Sequence, residues 1–160
     1  MSSTVNIKEA LQTMKDRVSS LFRYAAEIAS EMTSISLLRH LADEVEKQGH
    51  AICELLDAEV DKETINQAFL RASRACAPLQ TYMVKGVDAF EDVNNDQEIL
   101  SVAHDIKENC VCFLSEMAKS VDQQALVRGL NECMVREYEH MRQLRVLGSL
   151  LKRGAVHATS

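Results

Sequence analysis

The sequence predicts an all-α protein, a four-helix bundle of two long helical hairpins joined by a long crossover that contains a short helix. Three observations predict it. Breakers are scarce, with 1 proline and 5 glycines in 160 residues, while helix-favouring Leu, Ala, Glu, Lys and Met are common. Apolar residues recur at spacings of three and four over long stretches, the period of a helix that lays one stripe on its partners. Polar punctuation, above all Glu91-Asp92-Val93-Asn94-Asn95-Asp96, divides these stretches into two pairs. A hydrophobic share of 46% at this length fits one domain with a sizeable core. It is assigned to residues 1–153, with a disordered tail over 154–160.

The first helix carries Ile7, Leu11, Met14, Val18, Leu21, Ala25, Ile28 and Met32 at unbroken four-three spacing, with Asn6 as its N-cap and Glu9 in its first turn. Thr33 and Ser34 mark the turn. The second helix shows Ile35, Leu38, Leu41, Ala42, Val45, Gly49, Ile52 and Leu56 on one face, and ends between Asp57 and Asp61. Residues 62–95 read as a shorter helix and then a broken connection around Pro78. Asp96 is the expected cap of a third long helix, with Ile99, Val102, Ala103, Ile106, Cys110, Phe113 and Met117 inward. Val121-Asp122 turns the chain into a fourth helix from Gln123 to about Arg153, carrying Leu126, Leu130, Cys133, Glu137, His140, Leu144, Leu147 and Leu151. A connection of thirty-odd residues between two tight hairpins is the layout of a bundle with one long crossover.

The net charge of −6 argues against a nucleic-acid partner, which calls for a basic face. No apolar run approaches the ~20 residues that cross a bilayer, and the opening Met-Ser-Ser-Thr-Val-Asn has neither a basic nor an apolar export region. A cytoplasmic location is expected. Cys53, Cys76, Cys110, Cys112 and Cys133 lack zinc-finger spacing, and Cys110 and Cys112 point about 200° apart on a helix. Reduced, structural cysteines are therefore expected. Cys110 and Cys133 should lie side by side across the last hairpin, as packed hydrophobes, a soft metal site or a redox pair.

Two polar residues interrupt the apolar stripe of the fourth helix. Glu137 and His140 fall inside it, three residues apart, and a buried carboxylate and imidazole are costly unless paired or bound. Glu-x-x-His sets two metal ligands a turn apart on one side of a helix. A buried Glu–His pair is the plainer alternative.

The stretch from Asp96 to Leu144 resembles the second half of a ferritin-like, rubrerythrin-type domain. Ile99-Leu100-x-x-Ala103, Phe113-x-x-Glu116-Met117-Ala118 and Glu137-Tyr138-Glu139-His140-x-x-x-Leu144 carry the likeness. Leu21-Phe22, Leu41-Ala42-Asp43-Glu44 and Leu55-Leu56 are similar in outline. The resemblance implies a di-iron site with a glutamate from each of two helices and Glu-x-x-His from each of the other two. The sequence departs from it: Val45 and Gln48 stand where the second helix should supply Glu and His. Val18 holds the inward position of the first helix beside Ser19, and Asp16 points away. On the third helix Asp105, Lys107 and Glu108 flank the core. His50 leaves the apolar stripe, with Lys47 at the glutamate position.

An intact di-iron oxidase or peroxidase is therefore not expected, and no catalytic residue is assigned. What remains is a single transition metal ion (Fe, Mn or Zn) on Glu137 and His140 with Glu108 or His104, or a protein-interaction module in which the bundle is structural. A homodimer, or an unidentified protein partner, is the expectation by analogy with such bundles.

His104 opens a reading of another class. Ala103-His104-Asp105-Ile106-Lys107 is similar to the core of histidine-phosphotransfer domains. Their chemistry uses an exposed imidazole as phosphoryl acceptor with a lysine one turn on to meet the phosphate charge. His104 lies about 140° from the apolar stripe, with Lys107 in place, but Glu108 stands where that family has glycine.

Overall fold

The computed structural model describes residues 6–57 and 61–158, and every regular element among them is helical. α1 (Ile7–Ile28) starts where the Asn6 side chain accepts a hydrogen bond from the Glu9 N–H at 3.2 Å, satisfying a donor that the first turn leaves open. Ala29 is extended and ends α1; α2 (Met32–Leu56) begins three residues later. The turn is thus at residues 29–31, ahead of Thr33 and Ser34. Its cause lies elsewhere in the chain. Asp96 is the first residue of α5 (Asp96–Ser120), and its carboxylate accepts from the backbone N–H groups of Ser30 at 2.8 Å and Glu31 at 2.7 Å. Asp96 therefore binds the donors at the start of α2 rather than capping its own helix. Asn95 is the cap of α5, accepting from the Glu98 N–H at 2.9 Å.

The crossover is more regular than the sequence suggests. α3 (Lys62–Ala75) is capped by Asp61, which accepts from the Glu63 N–H and the Thr64 hydroxyl. Ile65, Ala68, Ala72 and Cys76 are buried at three-four-four spacing, and this stripe lays α3 along α5. The connection therefore supplies a packed helix of its own. α4 (Ala77–Lys85) follows, with Pro78 in the first turn where its missing N–H does no harm. Gly86, at φ 57°, ends it and leads into a 3-10 segment, Gly86–Phe90. At the α3–α4 elbow Cys76 is disulfide-bonded to Cys112 of α5, with Cα atoms 6.1 Å apart. That corrects the expectation of wholly reduced cysteines. The α3 stripe carries Cys76 onto α5 within bonding geometry, which spacing in the sequence does not reveal.

α6 (Gln124–Ala158) returns along α5. It has 35 residues against 25 in α5, and it continues through residues 154–158, which composition assigned to a disordered tail; residues 159–160 lie outside the described ones. α1 pairs with α2, α5 with α6, and α2 closes on α6. Ala25, Leu38, Leu41, Ala42, Ala103, Ile106 and Leu130 are wholly buried where these layers meet, each large side chain contributing about 1.5–3 kcal/mol. Gly129 lets α6 approach α2, because a Cβ there would collide with the Leu55 side chain. Among the described residues no helix is long and apolar enough to cross a membrane.

Asp96 ties the second hairpin to the turn of the first through two hydrogen bonds to a charged acceptor. Asp96→Ala is expected to lower stability by about 2 kcal/mol or more, read as a drop in the urea midpoint. A loss below about 0.5 kcal/mol would show that the turn holds without it.

Candidate functional site

Glu137 and His140 are buried, at 2% and 5% exposure, as their place in the α6 stripe predicts. Their neighbour is not a third metal ligand but Lys107. The Lys107 Nζ lies 3.1 Å from Glu137 Oε1 and donates to it, and the lysine has no exposed surface. The ammonium also sits 5.1 Å from the centre of the Phe22 ring on α1, close enough for a cation–π contact. An ion pair thus spans α5 and α6 with an aromatic face of α1 against it. His140 Nδ1 is 3.8 Å from the same Glu137 oxygen, beyond a direct hydrogen bond. The His140 ring meets the exposed His40 of α2 edge-on at 6.2 Å.

Burial alone would push the Glu137 carboxyl up. The Lys107 ammonium and His140 outweigh it and hold the carboxyl below the ordinary glutamate range. Cys110 and Cys133 are free and flank this centre. Burial, reinforced by the Glu137 charge, pushes their thiols up to about 12 and about 11. They therefore stay protonated at neutral pH, which makes them poor nucleophiles and poor metal ligands.

The residues assigned from the sequence separate here. Glu108 is exposed on α5. His104 is half-buried, and its Nε2 is enclosed without a hydrogen-bond partner among the described residues. Neither joins Glu137 and His140: among the described residues no three of His, Cys, Asp and Glu stand close enough to share a metal ion. The donor set also fits a cation poorly, since the Lys107 ammonium already meets the carboxylate charge. Lys107, read from the sequence as flanking and available to a phosphate on His104, is instead wholly buried against Glu137. Asp105 accepts from the Tyr82 hydroxyl, and burial followed by that bond pushes Tyr82 up to about 12.

Elsewhere the sequence placed residues well. Val18 and Gln48 are buried and Val45 is half-buried. Ser19 donates to the Ala42 carbonyl and to Glu46 Oε1, both at 3.2 Å. His50 is exposed and pairs with Glu54 at 3.3 Å. The acidic run of α2 is a solvated face, with Asp43 and Glu46 each 3.2 Å from Arg23 and Glu44 paired to Lys47. A signal for Lys107 does exist in the sequence. Leu100, Ala103, Lys107, Val111 and Leu114 form a second helical stripe on α5, and all five are buried.

Against known proteins, no family model, curated protein or solved structure matches this chain.

The ion pair sets a pH response. The folded carboxyl titrates below the unfolded one, so its contribution is complete above the ordinary glutamate range and is lost as pH falls through the folded value. Urea midpoints taken across the acid range should fall more steeply for the wild type than for Glu137→Gln. Parallel curves would mean that Glu137 is not held ionised by Lys107.

Proposed function

We propose that this chain is a ferritin-like four-helix bundle, with α3 and α4 on its crossover, that has lost the di-iron constellation and works as a protein-interaction module. Its partner is a second copy of itself, and the outer face of α6 is the contact. The observation that carries this reading is an exposed apolar stripe opposite the core. Val135, Tyr138, Val146 and Leu150 are 70%, 58%, 46% and 54% exposed, and at 100° per residue they fall within one third of the helix circumference. Apolar side chains concentrated in one strip mark a contact surface more than scattered ones do.

The pattern is also self-complementary. If two α6 helices cross antiparallel on a two-fold axis near Arg142, Val135 faces Leu150 of the second copy and Tyr138 faces Val146. This is the isologous matching a symmetric dimer needs. Arg142 sits near the axis with its charge met by Glu139, through contacts of 2.9 and 2.6 Å, so the two copies do not bring bare arginines together.

The same geometry favours this reading over a mononuclear metal on Glu137 and His140, because Lys107 already meets the carboxylate charge. It also favours it over phosphotransfer through His104, whose lysine is buried.

Light scattering on the eluting full-length chain is expected to give about twice the 17.9 kDa chain mass at micromolar concentration. Tyr138→Glu and Val146→Glu should each weaken association by roughly tenfold or more without moving the unfolding midpoint of the monomer. A wild type that stays monomeric across the concentration range contradicts the proposal, as does a dimer indifferent to both substitutions.

A further inference from the structure

α4 has 9 residues, too few to hold a helix in water without help from its surroundings. Only Leu79 and Met83 among them are buried. The backbone breaks at both ends of it. Cys76, at φ −115° and ψ 46°, stands before α4, and Gly86, at φ 57°, follows it. Its inner side faces open space as well as core. Leu79 closes an apolar space of about 90 Å3 whose other walls come from α1, α2, α5 and α6. Met83 borders two wider spaces, of about 350 and 250 Å3, that α4 shares with α1.

Among the described residues two bonds tie this stretch to α5. One is the hydrogen bond that the Tyr82 hydroxyl donates to Asp105, and the other is the Cys76–Cys112 disulfide. The disulfide closes the chain over a separation of 36 residues. Within that loop α5 is held by α3 and α6, and Phe90 is anchored on Tyr24, the ring centres 5.9 Å apart. α3 lies outside the loop and keeps Ile65, Ala68 and Ala72 buried along α5. The freedom that the closed loop withholds from the chain therefore falls on α4 and the 3-10 segment up to Phe90.

We propose that α4 is a lid latched by a redox-sensitive bond. Reduction of Cys76–Cys112 by a dithiol releases residues 77–89 and uncovers Leu79 and Met83, while α3 and the four long helices stay folded. Cys76 is 1% exposed and Cys112 is half-buried, so the attack falls on Cys112. A thiolate of the reductant bonds to the Cys112 sulfur, and Cys76 leaves as a thiolate and takes up a proton. The second thiol of the reductant then displaces Cys112. The chain gains two electrons and two protons, and the dithiol departs as its own disulfide. Burial pushes the Cys110 and Cys133 thiols up, which makes them poor attackers at neutral pH. The latch therefore answers to a reductant from outside. It uses none of the α6 residues of the dimer contact.

The test is hydrogen exchange read by mass spectrometry on the full chain, purified without reductant and then treated with millimolar dithiothreitol. Before treatment, alkylation should label neither Cys76 nor Cys112; afterwards it should label both. Exchange over residues 77–89 should then accelerate about thirtyfold or more, with α1, α2, α3, α5 and α6 unchanged. Glutathione disulfide should restore slow exchange. Cys112→Ser should exchange fast over the same residues with or without dithiothreitol. Free thiols at both cysteines in the untreated chain, or a bond that resists dithiothreitol in the folded protein, would overturn the proposal. Unchanged exchange after reduction would show that the bond latches nothing, and acceleration across every helix would make it a staple of the whole fold; either result overturns the lid.

Discussion

The interaction on which the interior depends is the pair between Lys107 and Glu137. Two full charges are held out of water between α5 and α6, with His140 and the Phe22 ring as their other neighbours. A buried pair of this kind gives little net stability over well-packed apolar residues, because desolvation offsets most of the attraction. Its structural force lies in the alternative. Any packing that parts the two leaves an uncompensated charge in the core, so the register of α5 against α6 is fixed by electrostatics as well as by shape. The pair also decides the chemistry of the centre. It leaves one carboxylate oxygen without a hydrogen-bond partner among the described residues, and puts an ammonium where a metal would need an anionic ligand.

The two hairpins are joined by other means at their ends. Asp96 reaches from the start of α5 to the backbone of the α1–α2 turn, and the Cys76–Cys112 bond pins the α3–α4 elbow to the middle of α5. Leu79, three residues past Cys76, is then buried in the core. The crossover therefore closes the interior on one side. α6 stands apart: its inner face supplies Glu137 and His140, while Val135, Tyr138, Val146 and Leu150 on its outer face are exposed among the described residues.

Much of this was legible from spacing. The stripes of α1 and α2 repeat without interruption, so their buried faces can be read directly, and α6 carries a similar stripe. Glu137 and His140 stood out because they broke such a stripe. Lys107 did not, because α5 is packed by α3 on one side and by α6 on another, and a helix buried along two stripes blurs the boundary of each. The charge of Lys107 then argued for the surface, and only the partner carboxylate on another helix reverses that. By sequence alone Asp96 reads as a local cap for the same reason. Its true partners, Ser30 and Glu31, are distant in sequence, and local rules favoured the nearest helix start. The helical character of the crossover was obscured by Pro78, which is compatible with a first turn, and the disulfide by a pairing that only the tertiary fold creates. The half-site at Glu137 was found from one helix, but its occupant is set by three.

A double-mutant cycle on Lys107→Met and Glu137→Gln, followed by urea unfolding, tests the central claim most directly. Each single change is expected to destabilise by about 3–5 kcal/mol, since each strands the other group. The double variant should lose far less than the two together, giving a coupling of about 2 kcal/mol or more. Additive losses would contradict the account, and would mean that the two side chains do not depend on one another in the folded protein.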